Sequence, residues 1–113
     1  MLKRAKRLRK DKDFDNVFKC GKSAYSQIIG VKIEKNNLNH NRFGILVGTK
    51  VSKKAVDRNK IKRRIRAIIH NEEPLLKAGY DCAVIVLPLI LAKSYDEIKS
   101  GVRAILLSAK LYK

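Results

Sequence analysis

The residues with the most chemistry to offer lie between Lys50 and His70, which reads K-V-S-K-K-A-V-D-R-N-K-I-K-R-R-I-R-A-I-I-H. Lysine and arginine at this density bind phosphate, the ammonium as a point charge and the guanidinium bidentately. Asp57 is the only acid between Val51 and His70. The same stretch carries Ile61, Ile65, Ile68 and Ile69 at i, i+4, i+7 and i+8, which share one helix face. A solvated charge run needs no such stripe. A helix that packs on a sheet and turns phosphate-seeking side chains to solvent needs both.

Other candidate chemistry is weaker. Asp11, Asp13 and Asp15 resemble a metal cluster at first sight, but a helix puts Asp13 on the opposite side from the other two. The EF-hand pattern fails as well, with Asn16 at the turn-glycine position and Lys22 at the bidentate-acid position. Carboxylates favoured by a helix N-terminus account for the run. His40 in a polar turn and His70 at a helix end read as surface residues, not catalytic bases. Cys20 and Cys82 form no C-x-x-C pattern and read as reduced thiols, Cys82 as a small core residue. There is no glycine-rich phosphate loop, zinc spacing or pair of acids in a hydrolase arrangement. A phosphodiesterase with neither bound metal nor a histidine pair lacks the electrostatic means to stabilise its transition state. The chemistry on offer is binding.

A helical wheel refines it. With Ile61 at zero, the isoleucine stripe spans roughly −20° to 80°, while Asn59, Arg63 and Arg66 cluster between about 140° and 200°. Lys62 lies beside that ridge. Arg58 falls at about 60°, inside the apolar sector, so it must sit at an end or rim to keep its charge solvated.

Composition supports a binding role. The chain has 113 residues, enough for one domain, and its 45% hydrophobic content argues against wholesale disorder. Lysine and arginine number 27 against 10 acids, a net charge of +17. That excess repels itself, so a polyanionic partner is expected, nucleic acid before an anionic membrane surface. The longest apolar run, Ala83 to Ala92, holds ten residues including Pro88, too few to span a bilayer. The basic start lacks the hydrophobic region of a secretory signal, so a cytoplasmic location is expected.

The elements that must position these residues follow from periodicity. Met1 to Lys10 is a basic segment that reads as an N-terminal arm or tail. Asp11 caps a helix to about Cys20, with Phe14, Val17 and Phe18 facing inward and Gly21 as its stop. Ser23 to Lys35 reads as strand, with Gly30 as a bulge or bend that splits it. Arg42 to Thr49 is a second strand, whose Gly44 and Gly48 suit the close approach of another backbone. The basic helix follows from about Lys53 to Asn71. Tyr80 to Leu87 is an interior strand, apolar on both faces. Ser94 and Glu97 make a capping box for a last helix buried through Ile98, Val102, Ile105 and Leu106. The order α-β-β-β-α-β-α indicates an α+β domain over residues 1–113: one mixed sheet of about four strands with three helices.

These residues carry a resemblance. A-V-D-R-N-K-I-K-R-R-I-R, Ala55 to Arg66, closely resembles the "RNR" motif of the protein subunit of bacterial ribonuclease P. Leu8 to Gly21, L-R-K-D-K-D-F-D-N-V-F-K-C-G, is similar to that family's N-terminal K-x-x-x-F-x-x-V-F-x-x-G segment. Phe43 to Val56 resembles its strand leading into the basic helix. Size, charge and element order match too.

The resemblance implies an accessory subunit of an endoribonuclease. Such a subunit partners a catalytic RNA that removes the 5′ leader of precursor tRNA and holds the Mg2+ with its substrate. No membrane or obligate protein partner is implied. Contact with the RNA subunit maps onto Lys53, Lys54, Arg58, Asn59, Lys60, Lys62, Arg63, Arg64 and Arg66. The leader-binding cleft maps onto Lys12, Phe14, Phe18 and Val31. No catalytic or metal-ligating protein residue is implied. The family fold also implies a left-handed β-α-β crossover, against the general right-handed rule. One departure stands out: where the family often has aromatics along the first strand, this chain has Ile28 and Val31, with Tyr25 nearby. The rival reading is a small basic ribosomal protein that binds folded rRNA and does not stimulate leader removal.

Overall fold

The computed structural model describes residues 6–113. Three helices, α1 (Asp11–Cys20), α2 (Ala55–Glu72) and α3 (Tyr95–Ser108), surround one sheet. Its strands are β1 (Lys22–Tyr25), β2 (Ile29–Lys35), β3 (Arg42–Leu46) and β4 (Tyr80–Val86). The order across the sheet is β1-β2-β4-β3. β1–β2 and β2–β4 pair antiparallel, while β3–β4 pair parallel through the α2 crossover. The mixed α+β sheet expected from periodicity is therefore present.

Alternation decides which residue faces which layer. Ile29, Val31 and Ile33 of β2, Phe43 and Ile45 of β3, and Cys82, Val84 and Val86 of β4 share one face. They pack against Ile61, Ile65, Ile68 and Ile69 of α2 and Ile98, Val102, Ile105 and Leu106 of α3. The isoleucine stripe of the basic helix is its anchor in this main core. Burial pushes the Cys82 thiol pKa well up, with Asp81 adding to the shift, so this cysteine is an inert core residue. The opposite sheet face holds a smaller core of Leu8, Val17 and Ala83 under α1.

Four local expectations are corrected. The basic N-terminal segment is part of the fold from Lys6 onward; residues 1–5 of the expected arm lie outside the described residues. Arg7 bridges Phe43 beside β3, the Leu8 N–H donates to the Phe43 carbonyl at 2.8 Å, and Lys6 pairs with Glu73 at 2.6 Å. Asp11 is the first helical residue; Lys10 holds the N-cap position, and no side chain caps α1. Gly30 sits in regular ladder pairing with Tyr25 and Ile85, so it is not a bulge. The chain is split instead by a tight turn at Ser26, whose N–H and Oγ both donate to the Ile29 carbonyl. Of the two strand glycines expected to admit a close neighbour, Gly44 is closely approached and Gly48 has open space around it.

The C-terminus is tied to the end of α2. Glu72 is buried and accepts from Tyr112 Oη at 2.6 Å and Arg103 Nη2 at 3.2 Å. The Tyr112 hydrogen bond, then Arg103, hold the Glu72 carboxyl below its ordinary pKa against the opposing effect of burial. A depressed carboxyl stabilises fully above its unfolded pKa, about 4.3. That contribution is lost as the pH falls through the lower folded value. The stability difference between wild type and Glu72→Gln should therefore shrink as the pH falls from about 5 into the acid range. Urea midpoints across that range measure it; a pH-independent difference would remove Glu72 from the acid limb.

Candidate nucleic-acid interface

The first surface is α2. Lys53, Lys54, Asn59, Lys60 and Arg63 are exposed, and Arg58, Lys62, Arg64 and Arg66 are half-buried. Among the described residues the ion pairs draw their bases from Lys6, Arg42, Lys93 and Arg103, none of them from this helix. Asp57 accepts from Ser52 Oγ at 3.1 Å. The α2 cations thus lack an internal counter-ion, the condition under which phosphate binding gains most.

The wheel's single ridge is divided by its neighbours. Lys60, Arg63, Arg64 and Ala67 border a groove of about 330 Å³ whose other wall is Tyr95 at the start of α3. Arg66 instead lies near Arg7; burial first, and then the Arg7 charge, lower the Arg66 pKa. Arg58 sits at the rim, as its position on the wheel requires, and its Nη1 donates to the Ser52 carbonyl at 2.9 Å. It braces the entry to α2 while its remaining N–H groups have no partner among the described residues.

The second surface is the cleft between α1 and the sheet. Gly44, Ala83 and Lys32 form one row across β3, β4 and β2, and Leu46, Ile85, Gly30 and Tyr25 the next. Small residues in the first row let α1 come close. A Cβ at Gly44 would collide with the Phe14 ring and meet the Leu8 carbonyl at 3.1 Å. Phe14 and Phe18 stack with ring centroids 6.5 Å apart and planes 23° apart. Lys32 Nζ stands 5.4 Å from the Phe18 ring centre. A groove of about 400 Å³ runs between Leu46 and the Asp11, Phe14, Asp15 and Phe18 side of α1. Phe18 is 38% exposed although it stands on the inward side of its helix. Aromatic faces left open beside a cation suit the stacking of unpaired bases.

Arg42 fixes the spacing of this cleft at one end. Its Nε and Nη2 donate to the two Asp81 oxygens at 2.7 and 2.6 Å, and its Nη1 donates to Asp13 at 3.2 Å. The Asp81 bond is the main cause of a raised Arg42 pKa. One guanidinium therefore ties β3, β4 and α1 together.

The family model described as Ribonuclease P matches residues 2–110. The chain belongs to the ribonuclease P protein family. It is 40% identical over 96 residues to the "Ribonuclease P protein component" of Synechocystis, covering 84% of this chain and 77% of that protein. The corresponding protein of Ligilactobacillus salivarius is 36% identical, with 97% of both chains covered. Among solved structures, the Staphylococcus aureus RNase P protein superposes with a TM-score of 0.90 at 30% identity, over 97% of this chain and 100% of that one. The Thermotoga maritima RNase P protein gives 0.81 at 31% identity, over 88% and 94%.

Against the residues expected for a ribonuclease P protein, the α2 set stays together on one helix and its entry loop. The expected cleft set does not. Phe14 and Phe18 line the groove, but Val31 is 1% exposed and lies in the main core on the far face of the sheet. A one-residue step along a strand reverses its side chain, so Lys32, not Val31, faces α1. Lys12 is also displaced. It borders a different depression on the outer side of α1, with Asp13, Asp15, Asn16 and Lys19. The cation beside the aromatic pair is Lys32. Tyr25, named beside the departing strand aromatics but not assigned to the cleft, stands on the cleft side. Its ring lies over Gly30, on the α1 side of the sheet, and is 54% exposed. The signal was available in the pairing of a tyrosine with a glycine, but it needed the β1–β2 register.

Proposed function

We propose that the chain acts as the protein component of ribonuclease P through two separate RNA surfaces. α2 and its entry loop, from Lys53 to Arg66, grip the catalytic RNA. The α1 cleft receives the 5′ leader of precursor tRNA, with Phe14, Phe18 and Tyr25 offering ring faces and Lys32 a phosphate contact. The observation that carries this reading is the cleft itself: an open aromatic pair beside a cation, on the sheet face away from the basic helix.

The protein's part is binding and orientation. Among the described residues no three His, Cys, Asp or Glu side chains gather where they could share an ion. Asp13 is taken by Arg42, leaving Asp11 and Asp15 at the groove. This donor set does not fit a protein-held metal centre, and we assign hydrolysis with its Mg2+ to the RNA subunit and substrate. No described helix is long and apolar enough to cross a membrane.

Reconstitution with a bacterial ribonuclease P RNA tests the reading. At low Mg2+, precursor cleavage should be faster with the protein than with RNA alone, and Phe18→Ala should weaken binding of leader-bearing substrate. Loss of one stacking ring costs about 1–3 kcal/mol. Absence of any stimulation by the wild-type protein would overturn the function. An effect of Phe18→Ala that is equal for leaderless tRNA would overturn the cleft assignment.

A further inference from the structure

Four tyrosines are present, and three have a structural reason to be where they are. Tyr25 covers Gly30, Tyr80 packs on the main core, and Tyr112 packs there and donates to Glu72. Tyr95 does none of these. It is 43% exposed, it is not among the residues packed on either core, and its hydroxyl has no hydrogen-bond partner among the described residues. Its neighbours are Lys60, Arg63 and Arg64 across the groove, with Ala67 as the small residue that keeps the groove open.

The backbone that carries Tyr95 is fixed by the start of its helix. Ser94 Oγ accepts from the Glu97 N–H at 3.2 Å, and Glu97 Oε1 accepts from the Ser94 N–H at 3.0 Å. This capping box brackets Tyr95 at the first position of α3, and buried Ile90 and Ile98 anchor the chain before and after it. Asp96 and Glu97 border a different depression, with Ile28, Lys93 and Ser100. The groove beside Tyr95 is therefore lined by three cations and one exposed aromatic ring on an anchored backbone. Cations alone would serve any polyanion. An aromatic face among them adds affinity for an unpaired base, whose phosphates the cations can hold on either side.

We propose that Tyr95 is a stacking platform for an unpaired nucleotide of the catalytic RNA, with Lys60, Arg63 and Arg64 holding its flanking phosphates. This rests on the assignment of α2 to the catalytic RNA and extends that contact onto α3. The platform stacks one base; it does not take part in cleavage.

The test is the affinity of the full chain for a bacterial ribonuclease P RNA at several salt concentrations, for wild type, Tyr95→Ala, Tyr95→Phe and Arg63→Ala. Tyr95→Ala should bind roughly 5- to 150-fold more weakly, the range of a lost base–aromatic stack. Its salt slope should match wild type, because no phosphate contact is removed. Tyr95→Phe should bind as wild type does, and the melting temperature should be unchanged in both. Arg63→Ala should lower the slope by about one unit. If the wild type does not bind the RNA, the parent reading and the platform fall together. If binding shows the Arg63-dependent slope but Tyr95→Ala binds as tightly as wild type, only the platform falls. A Tyr95→Phe defect equal to that of Tyr95→Ala also overturns it, since the ring face is then not the contact.

Discussion

A variant with Lys60, Arg63, Arg64 and Arg66 all replaced by alanine should bind the catalytic RNA about a thousandfold more weakly at about 0.15 M salt while folding at least as stably as wild type. The affinity loss follows from counterion release. Four phosphate contacts contribute a salt slope of about three to four units, and each is worth about a factor of five to six at that ionic strength. The opposite sign for stability follows from the structure. None of the four pairs with an acid among the described residues, and the Arg66 pKa is lowered by burial and by Arg7. Removing the charges relieves repulsion in a chain of net charge +17, and alanine is the best helix former. The main-core face of α2 is untouched, because its anchors are the four isoleucines. Titration of binding against salt, together with a thermal melt, measures both halves. A fall in affinity accompanied by an equal loss of stability would mean that these side chains hold the helix and not the RNA.

How far the sequence could be read differs between the two surfaces, for a physical reason. α2 was legible because one helix carries both its anchor and its ligands. Periodicity alone separates Ile61, Ile65, Ile68 and Ile69 from the arginines, and the capping box of α3 was legible in the same local way. The cleft is assembled from α1, β2, β3 and β1, so its membership depends on register. Val31 and Lys32 differ by one position and lie on opposite faces of β2, and nothing within Ile29–Lys35 says which face meets α1. Lys12 failed similarly. It is only two residues from Phe14, but on a helix that step turns it away from the sheet toward solvent. The N-terminal segment hid its role because its charge suggested a solvated arm, whereas a single apolar residue, Leu8, is enough to seat it against β3. The division of the basic ridge between Tyr95 and Arg7 was beyond reach for the same reason: both partners come from distant parts of the chain.

Arg42→Ala should lower stability by about 3 kcal/mol, the low end for removing one partner of a buried pair, because the guanidinium keeps some solvent contact. Its side chain is 23% exposed, whereas that of Asp81 is 6% exposed. Without Arg42 the Asp81 carboxylate would retain only the Asn36 Nδ2 donor at 2.9 Å, and a nearly dry charge would stand with two of its three side-chain donors gone. For a chain of this size the melting temperature should drop by more than about 10 °C. Two further variants separate charge from geometry. Asp81→Asn in the Arg42→Ala background should recover part of the loss by removing the orphaned charge. Arg42→Lys should fall between wild type and Arg42→Ala, because an ammonium restores the charge but cannot span both Asp81 oxygens and Asp13. The functional consequence is directional. Arg42 is the only ion-pair link from α1 to the sheet among the described residues, and Phe14 and Phe18 ride on α1. At a temperature where the variants are still folded, Arg42→Lys should therefore weaken binding of leader-bearing substrate while leaving affinity for the catalytic RNA as it is in wild type. Equal loss at both surfaces would mean that Arg42 supports the fold as a whole, and that the cleft has no dependence of its own on the spacing this guanidinium sets.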